Sequence, residues 1–298
     1  MHFKCPICDS ESFEDSLPYK GNSVIFLDRS IVRCGVCHTF MIHPFPTEEE
    51  LNIYYQSYWI RKKIEHKFPV YRAQAEARFM FMRPYMPGDN ILSILDVGAG
   101  FGLLKIPFIE NINASSIFYD AVEIDPTAVD YLKNNIEPRA IYSRLEDSNG
   151  KYHIIILSHI LEHVTDPLRF LKHQSKRLIK DGMIFIEVPN EDHRFKLQNE
   201  PHLYFFNEST LSYLVDIAGY QVLNVSACGE RILLKNTPVS PSINIKALVR
   251  SALPAPILKI IHSIRKTKRP ESSFKSLFEY GPNRRWIRLV ARVTSIEE

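Results

Sequence analysis

Five short runs rich in β-branched and aromatic residues, ILSILDVG (91–98), IFYDAVEID (117–125), HIIILS (153–158), MIFIEV (183–188) and YQVLNVSA (220–227), alternate with stretches of helical spacing. Thr127–Asn134, Asp166–Ile179 and Glu208–Ala218 read as the helices between them. Asp166-Pro167 supplies an N-cap followed by a proline at the first helical position, and Asp181-Gly182 and Gly219 supply stops. Strands joined through helices run parallel, and the helices must then cover both faces of the sheet. The expected fold class is therefore α/β, doubly wound and mostly parallel, with RRWIRLVARV (284–293) as one more strand.

Before this pattern begins, residues 1–45 are dominated by Cys5-Pro-Ile-Cys8 and Cys34-Gly-Val-Cys37. Two residues between cysteines let both thiolates meet one tetrahedral ion, and four sulfurs leave no position for a substrate. The expectation is a structural zinc ribbon on Cys5, Cys8, Cys34 and Cys37, with VIFL (24–27) and SIVR (30–33) forming a hairpin between the pairs. Cys228 stands alone and reads as a buried thiol. Paired CxxC motifs and a start, MHFKCPICDSE, without an apolar signal core imply the cytoplasm. With 298 residues, 45% of them hydrophobic and 24% charged, the chain can bury a real core, which excludes a disordered or fibrous protein. Residues 46–90 read as a helical linker or lid, opened by the capping box Thr47-Glu48-Glu49-Glu50. Residues 91–235 form the main α/β domain, 236–283 a basic helical insert, and 284–298 the last strand of the sheet.

The first strand runs into Asp96-Val97-Gly98-Ala99-Gly100-Phe101-Gly102, and the second ends in Val122-Glu123-Ile124-Asp125. Alternate glycines turn the backbone sharply and let a ligand approach bare main chain, while an acid at the end of the second strand is placed to grip a ribose diol. A dinucleotide site would want GxGxxG facing a pyrophosphate. Here the spacing is GxGxG with Asp96 two residues ahead, which repels phosphate and suits a cationic ligand.

These motifs resemble the class I S-adenosylmethionine-dependent methyltransferases over about residues 91–227, through DVGAGFG, VEID, SRLED (143–147), HIIILSHILEHV (153–164), RLIKDGMIFIEVPN (177–190) and HLYFFNESTLSYLVDIAGY (202–220). The resemblance implies a Rossmann-like seven-stranded sheet that binds S-adenosylmethionine. It assigns the methionine end to Asp96, Gly98, Gly100 and Gly102 with Ser158 nearby, the ribose to Glu123, and the adenine border to Leu145 and Glu146. Arg144 stands where the family often has an acid.

After HIIILS, His159, Glu162 and His163 fall at i, i+3 and i+4 and share one face if a helical turn starts there. They lie beyond the carboxyl end of a strand, where open α/β sheets bind ligands. These three and His202, which follows MIFIEV, are the candidate catalytic residues, and Asn190 is a candidate for the pocket rim. Relatives such as the ubiquinone-pathway and small-RNA 2′-O-methyltransferases carry ExxEH here with a divalent ion. This chain has HxxEH, so a catalytic divalent metal is one reading and metal-free catalysis the other.

Residues 231–270 contain no Asp or Glu but nine Lys and Arg, interleaved from 257 to 265 with isoleucines at helical spacing. Such a segment could lie on the inner face of an anionic membrane, bind a nucleic acid, or pack as a lid. The ribbon-plus-methyltransferase arrangement resembles bacterial sugar and glycan methyltransferases, which implies O-methylation of a sugar or glycan hydroxyl, on a lipid-linked acceptor in one version. The alternatives are an RNA methyltransferase, C-methylation of a nucleotide-linked sugar, and a non-catalytic cofactor-binding module.

Overall fold

The computed structural model describes residues 3–56, 68–88, 91–112, 116–232 and 274–294. The basic segment expected at 236–283 lies outside the described residues up to 273. From 274 onward, a turn at Lys275–Phe278 leads to Tyr280, which bridges to Cys228. Among the described residues no helix is long and apolar enough to cross a membrane.

In chain order the elements are β1 (Phe13–Pro18), β2 (Ser30–Cys34), β3 (Phe40–His43), α1 (Glu48–Tyr55), α2 (Phe68–Met82), β4 (Ile91–Val97), α3 (Lys105–Asn111), β5 (Ser116–Val122), α4 (Pro126–Tyr131), β6 (Ala140–Tyr142), β7 (Tyr152–Ser158), α5 (Pro167–Ser175), β8 (Leu178–Pro189), β9 (Tyr204–Phe205), α6 (Glu208–Ile217), β10 (Tyr220–Arg231) and β11 (Arg284–Val293). Seven strands form the main sheet in the order β10-β11-β8-β7-β4-β5-β6. The pairs β4–β5, β4–β7, β5–β6 and β7–β8 are parallel, and β11 is inserted antiparallel between β8 and β10. This is the expected doubly wound sheet. From β4 the chain winds one way through β5 and β6, then returns to build β7 and β8 on the other side, so the carboxyl ends of β4 and β7 flank a crevice.

Alternation along the strands gives the sheet two buried faces. Ile94, Ile154, Ile156 and Phe185 pack with Phe79 and Phe108 from α2 and α3. Leu95, Ile155, Ile184 and Ile186 pack on the opposite face with Leu171, Leu211 and Leu214 from α5 and α6. Caps fix where the helices begin. The Thr47 hydroxyl accepts from the Glu50 amide and Glu50 accepts from the Thr47 amide, Asp125 caps α4, and Asp166 caps α5.

Two local expectations are corrected. The helix read over 166–179 stops at Ser175, because Leu178 pairs with Tyr152 and is buried at the sheet. A bulge at Asp181-Gly182, with Asp181 at φ 62°, then restores the register at Met183. VIFL is a 3₁₀ turn at Val24–Phe26, and the strand that pairs with β2 is β1. The N-terminal region is joined to the main domain through its sheet. Its sheet runs β1-β2-β3-β9, taking its fourth strand from residues 204–205 of the main domain. The side chain of Asn199 accepts from the Lys20 amide, Glu200 accepts from Asn22 and Ser23, and one apolar cluster spans Cys5 to Leu214.

Candidate active site

β4 ends at Val97, and the loop that follows carries Gly98, Gly100 and Gly102 at φ 66°, 54° and 62°. A Cβ on Gly98 would lie 2.2 Å from Ile160 Cδ1, and one on Gly102 would lie 2.4 Å from Leu132 Cδ2, so a side chain there would strain the backbone and push those side-chain ends aside. Glu123, from the end of β5, closes the loop from the other side. Its carboxylate accepts from the Gly100 amide at 2.7 Å and from Ile124 and Asp125 at 2.9 Å each. Burial pushes its pKa up, against these amides. Asp96 is also buried and accepts from the Tyr119 hydroxyl. Burial raises it to about 7, opposed by that hydrogen bond and by Arg78. Part of the Asp96 carboxylate is thus committed to the sheet.

These residues wall a cleft of about 1140 Å³ that also takes in Leu145, Glu146, Ser158, His159 and His163, with Tyr55 from α1 and Arg78 from α2. Leu145 and Glu146 sit on the 3₁₀ turn Leu145–Asp147, and Ser158 ends β7. All eight residues predicted for the cofactor therefore border one space. The bare loop and the acids Glu123 and Asp96 fit a cationic nucleoside and would oppose a pyrophosphate.

The turn expected after β7 is a single 3₁₀ turn, Leu161–His163, entered through His159 at φ 58°. It brings His159 Nδ1 to 3.0 Å from Glu162 Oε1, and His163 Nε2 to 3.7 Å from the same oxygen. The His159 ring also reaches Glu187 Oε1, at 3.4 Å. Burial alone would lower the His159 pKa, but the two carboxylates raise it to about 9. Burial lowers His163 to about 4 against the pull of Glu162. His163 Nδ1 lies 3.3 Å from the Pro201 carbonyl, which can only accept. The neutral ring therefore carries its hydrogen on Nδ1 and leaves Nε2 as a base. His202 joins the group, its ring centroid 5.1 Å from that of His163.

His159 and His163 line a second chamber as well, of about 300 Å³, together with Pro189, Asp192, Phe195, Lys196, His202, Arg285 and Trp286. Of the four predicted catalytic residues, His159 and His163 thus border both spaces, His202 borders the chamber alone, and Glu162 is buried beside them. Asn190 is not among the lining residues; its side chain donates to the Arg284 carbonyl and ties β8 to β11.

Several residues here escaped the sequence reading. Glu187, 1% exposed, accepts from Arg78 Nε at 2.8 Å and from Arg288 Nε at 2.6 Å. Burial opposes its ionisation, yet the two guanidinium groups hold it well below the usual carboxylate range. The signal was an acid inside MIFIEV and an arginine at an inward position of RRWIRLVARV. Asp192, held to about 2 by His202 and Lys196 despite burial, and Trp286 gave no comparable signal.

In the ribbon, Cys5 Sγ and Cys37 Sγ are 3.7 Å apart, Cys8 and Cys34 3.5 Å, and all four sulfurs lie within 4.8 Å of one another. A zinc ion about 2.3 Å from each sulfur requires edges of roughly 3.8 Å, so the donor set fits one. Glu162, His163 and His202 also present ligand atoms within 4.8 Å of one another.

A family model described as a methyltransferase domain matches residues 61–225. The ubiquinone biosynthesis O-methyltransferase of Bartonella tribocorum is 34% identical over 110 residues, covering 35% of this chain and 44% of that protein. Its counterpart in Rickettsia conorii is 31% identical over 133 residues, 43% of each. The match thus spans less than half the length of these curated relatives. The plantazolicin methyltransferase BamL, solved with a triazolic desmethylPZN analogue and SAH, superposes with a TM-score of 0.50 at 13% identity, over 83% of this chain and 97% of that one. A chain from the Haloferax volcanii complex of the Trm112 methyltransferase activator with a methyltransferase gives 0.51 at 12% identity, over 83% and 98%. These two likenesses concern the fold. With the family model covering more than half of its length, the chain belongs to the methyltransferase-domain family, as a class I S-adenosylmethionine-dependent methyltransferase.

Proposed function

We propose that the protein transfers a methyl group from S-adenosylmethionine to a hydroxyl of a sugar or surface-glycan intermediate. The observation that carries this reading is the position of His163, which lines both the cofactor cleft and the chamber beyond it. An acceptor in the chamber and a donor in the cleft would meet at that side chain. When bound, the cofactor supplies an electrophilic methyl on a sulfonium, with a neutral thioether as leaving group. The main chain of Gly98–Gly102 and the Glu123 carboxylate hold the nucleoside, Leu145 and Glu146 border its base, and Asp96 and Ser158 flank its cationic end.

Alignment supplies most of the catalysis. As the new C–O bond forms, the acceptor oxygen becomes positive and its proton strongly acidic, so a weak base is enough to take it. His163 Nε2 is that base, oriented through Nδ1 by Pro201. Glu162 stabilises the imidazolium that results and is itself held by His159, while Arg78 and Arg288 pair with Glu187. The ribbon cysteines hold a structural zinc, for which the sulfur spacing is the support. A labelled-methyl screen over nucleotide sugars, lipid-linked glycans and RNA tests the reading. Incorporation into carbohydrate is expected, and incorporation into RNA alone would overturn it.

A second reading has its own support. The relatives at 31–34% identity are named for O-methylation in ubiquinone biosynthesis, and Glu162, His163 and His202 form a donor set suited to a divalent ion. Such an ion would polarise the acceptor hydroxyl directly. Transfer to a phenolic quinone precursor that is abolished by chelation and restored by magnesium or manganese would establish it.

A further inference from the structure

The chamber beyond His163 contains side chains that neither cofactor binding nor proton removal uses. Trp286 lies near the start of β11, opposite Pro189 of β8 and Cys228 of β10. Its ring rests so closely on Gly229 that a Cβ there would fall 2.2 Å from Cε3 and 2.5 Å from Cζ3, and Gly229 itself has φ 89°. The indole is therefore braced from behind while it lines the chamber. Asp192, on the turn Asp192–Arg194, is 1% exposed and lines the same space. Its Oδ2 faces Lys196 Nζ and lies 2.9 Å from His202 Nδ1. Both carboxylate oxygens are buried and without a hydrogen-bond partner among the described residues, Oδ2 having only these ion-pair contacts and Oδ1 none. A buried acceptor in that state calls for an O–H or N–H donor.

An indole surface, a buried acceptor and a cation lining one chamber suit a ring that is apolar on its face and hydroxylated on its rim. A plain aromatic ring would leave Oδ1 unsatisfied. We propose that this chamber is a pyranose subsite, in which the C–H face of the sugar stacks on Trp286, one hydroxyl donates to Asp192 Oδ1, and a neighbouring hydroxyl faces His163. The proposal rests on the sugar reading of the acceptor and adds the residues that select it.

The chain has two tryptophans, Trp59 and Trp286, so Trp59→Phe leaves Trp286 as the only indole reporter. That variant is titrated with methyl glucoside, galactoside and mannoside in the presence of S-adenosylhomocysteine, with Trp286 emission and saturation transfer to sugar C–H protons as readouts. Quenching by at least one epimer is expected, with saturation strongest on one ring face. Trp286→Ala should abolish binding and Trp286→Phe should retain most of it. In Asp192→Asn, Lys196 and His202 hold the amide oxygen, which turns the –NH₂ toward the sugar donor; loss of that charged hydrogen bond should weaken binding about tenfold. Gly229→Ala, which touches no sugar, should weaken binding by displacing the indole. In every variant the affinity for S-adenosylhomocysteine should stay within about twofold, because none of these residues borders the glycine loop. If no glycoside perturbs Trp286 while a phenol does, with cofactor affinity intact, the subsite is not for pyranoses although the methyltransferase reading stands. If S-adenosylhomocysteine itself fails to bind the parent protein, the underlying reading falls and takes the subsite with it.

Discussion

The wall proposed for the cofactor and the wall proposed for the acceptor are assembled in opposite ways. The cofactor wall is nearly local: Asp96–Gly102 and Glu123–Asp125 follow adjacent parallel strands and close on each other through the Gly100 amide and the Glu123 carboxylate. The acceptor wall gathers His159–His163, Asp192, His202 and Trp286 from four separate places, and the N-terminal sheet stands directly behind it. The Ile42 amide of β3 donates to the Leu203 carbonyl at 2.9 Å, and the Leu203 amide donates to the Glu162 carbonyl at 2.7 Å. Two backbone hydrogen bonds thus connect the cysteine ribbon to the catalytic turn. A wall fixed by its own backbone should survive damage elsewhere, whereas a wall fixed by distant packing should not.

Removing the zinc proposed for the ribbon is the strongest way to break this comparison. Structural zinc contributes about 10 kcal/mol or more to the folding of small metal domains, so Cys34→Ser or chelation should release β3 and with it Leu203 and Glu162. Methyl transfer should fall at least about 100-fold, since misplacing the acceptor by even 1 Å costs that much. Calorimetry should find cofactor affinity little changed. Full turnover by protein that metal analysis shows to be zinc-free would separate the ribbon from the site.

The next test uses the one glycine at which the walls touch. In Gly98→Ala the new methyl is forced against Ile160, the residue that leads into the catalytic turn, and the φ of 66° is strained as well. Both cofactor affinity and kcat should fall, each about tenfold or more. Gly102→Ala is directed at Leu132 and away from the turn, so it should reduce affinity alone. Equal effects of the two variants on both quantities would mean that the walls are not independent.

This division also explains how much of the molecule the sequence disclosed. The α/β order, β11 as a returning strand and the glycine loop with its acid are carried by local patterns, period-two alternation and glycine spacing, which need no knowledge of distant contacts. What went unread depends on such contacts. β6 is three residues long, too short for a pattern. Leu178 leaves a helical run because an unfilled edge of β7 offers it a partner. Tyr204 and Phe205 read as part of the main domain, yet they pair with Met41 and Phe40. Glu187 was visible as an acid in an apolar strand, but its meaning required Arg78 and Arg288, 109 and 101 residues away.

Within the acceptor wall, His163→Ala should lower turnover about 100-fold, the lower range for a positioned general base, and leave cofactor affinity unchanged. The pH profile sharpens this. Burial depresses His163 to about 4, so the free base is present throughout the neutral range and turnover should be flat above about pH 5. Below pH 4 it should drop as the imidazole protonates. A limb near pH 6.5 in the wild type that disappears in His163→Ala would show that the ring titrates as an exposed histidine, in contradiction to its buried place beside Pro201.

The smallest effect is expected at His159, and it concerns stability rather than rate. Burial opposes the charged ring, but Glu162 and Glu187 raise its folded pKa to about 9 from an ordinary 6.5. A group whose pKa is higher in the folded state binds its proton more tightly there, so its stabilisation is complete below pH 6.5. That stabilisation declines as pH rises and is gone once the folded pKa has been passed. Thermal melts of wild type and His159→Gln, compared between pH 6 and 10, should therefore converge toward high pH. The variant loses the slope because glutamine keeps a hydrogen bond to one carboxylate but carries no titrating charge. A difference between the two that stays constant across this range would mean that His159 is neutral between its carboxylates, and the acceptor wall would then carry one more net negative charge than its geometry implies.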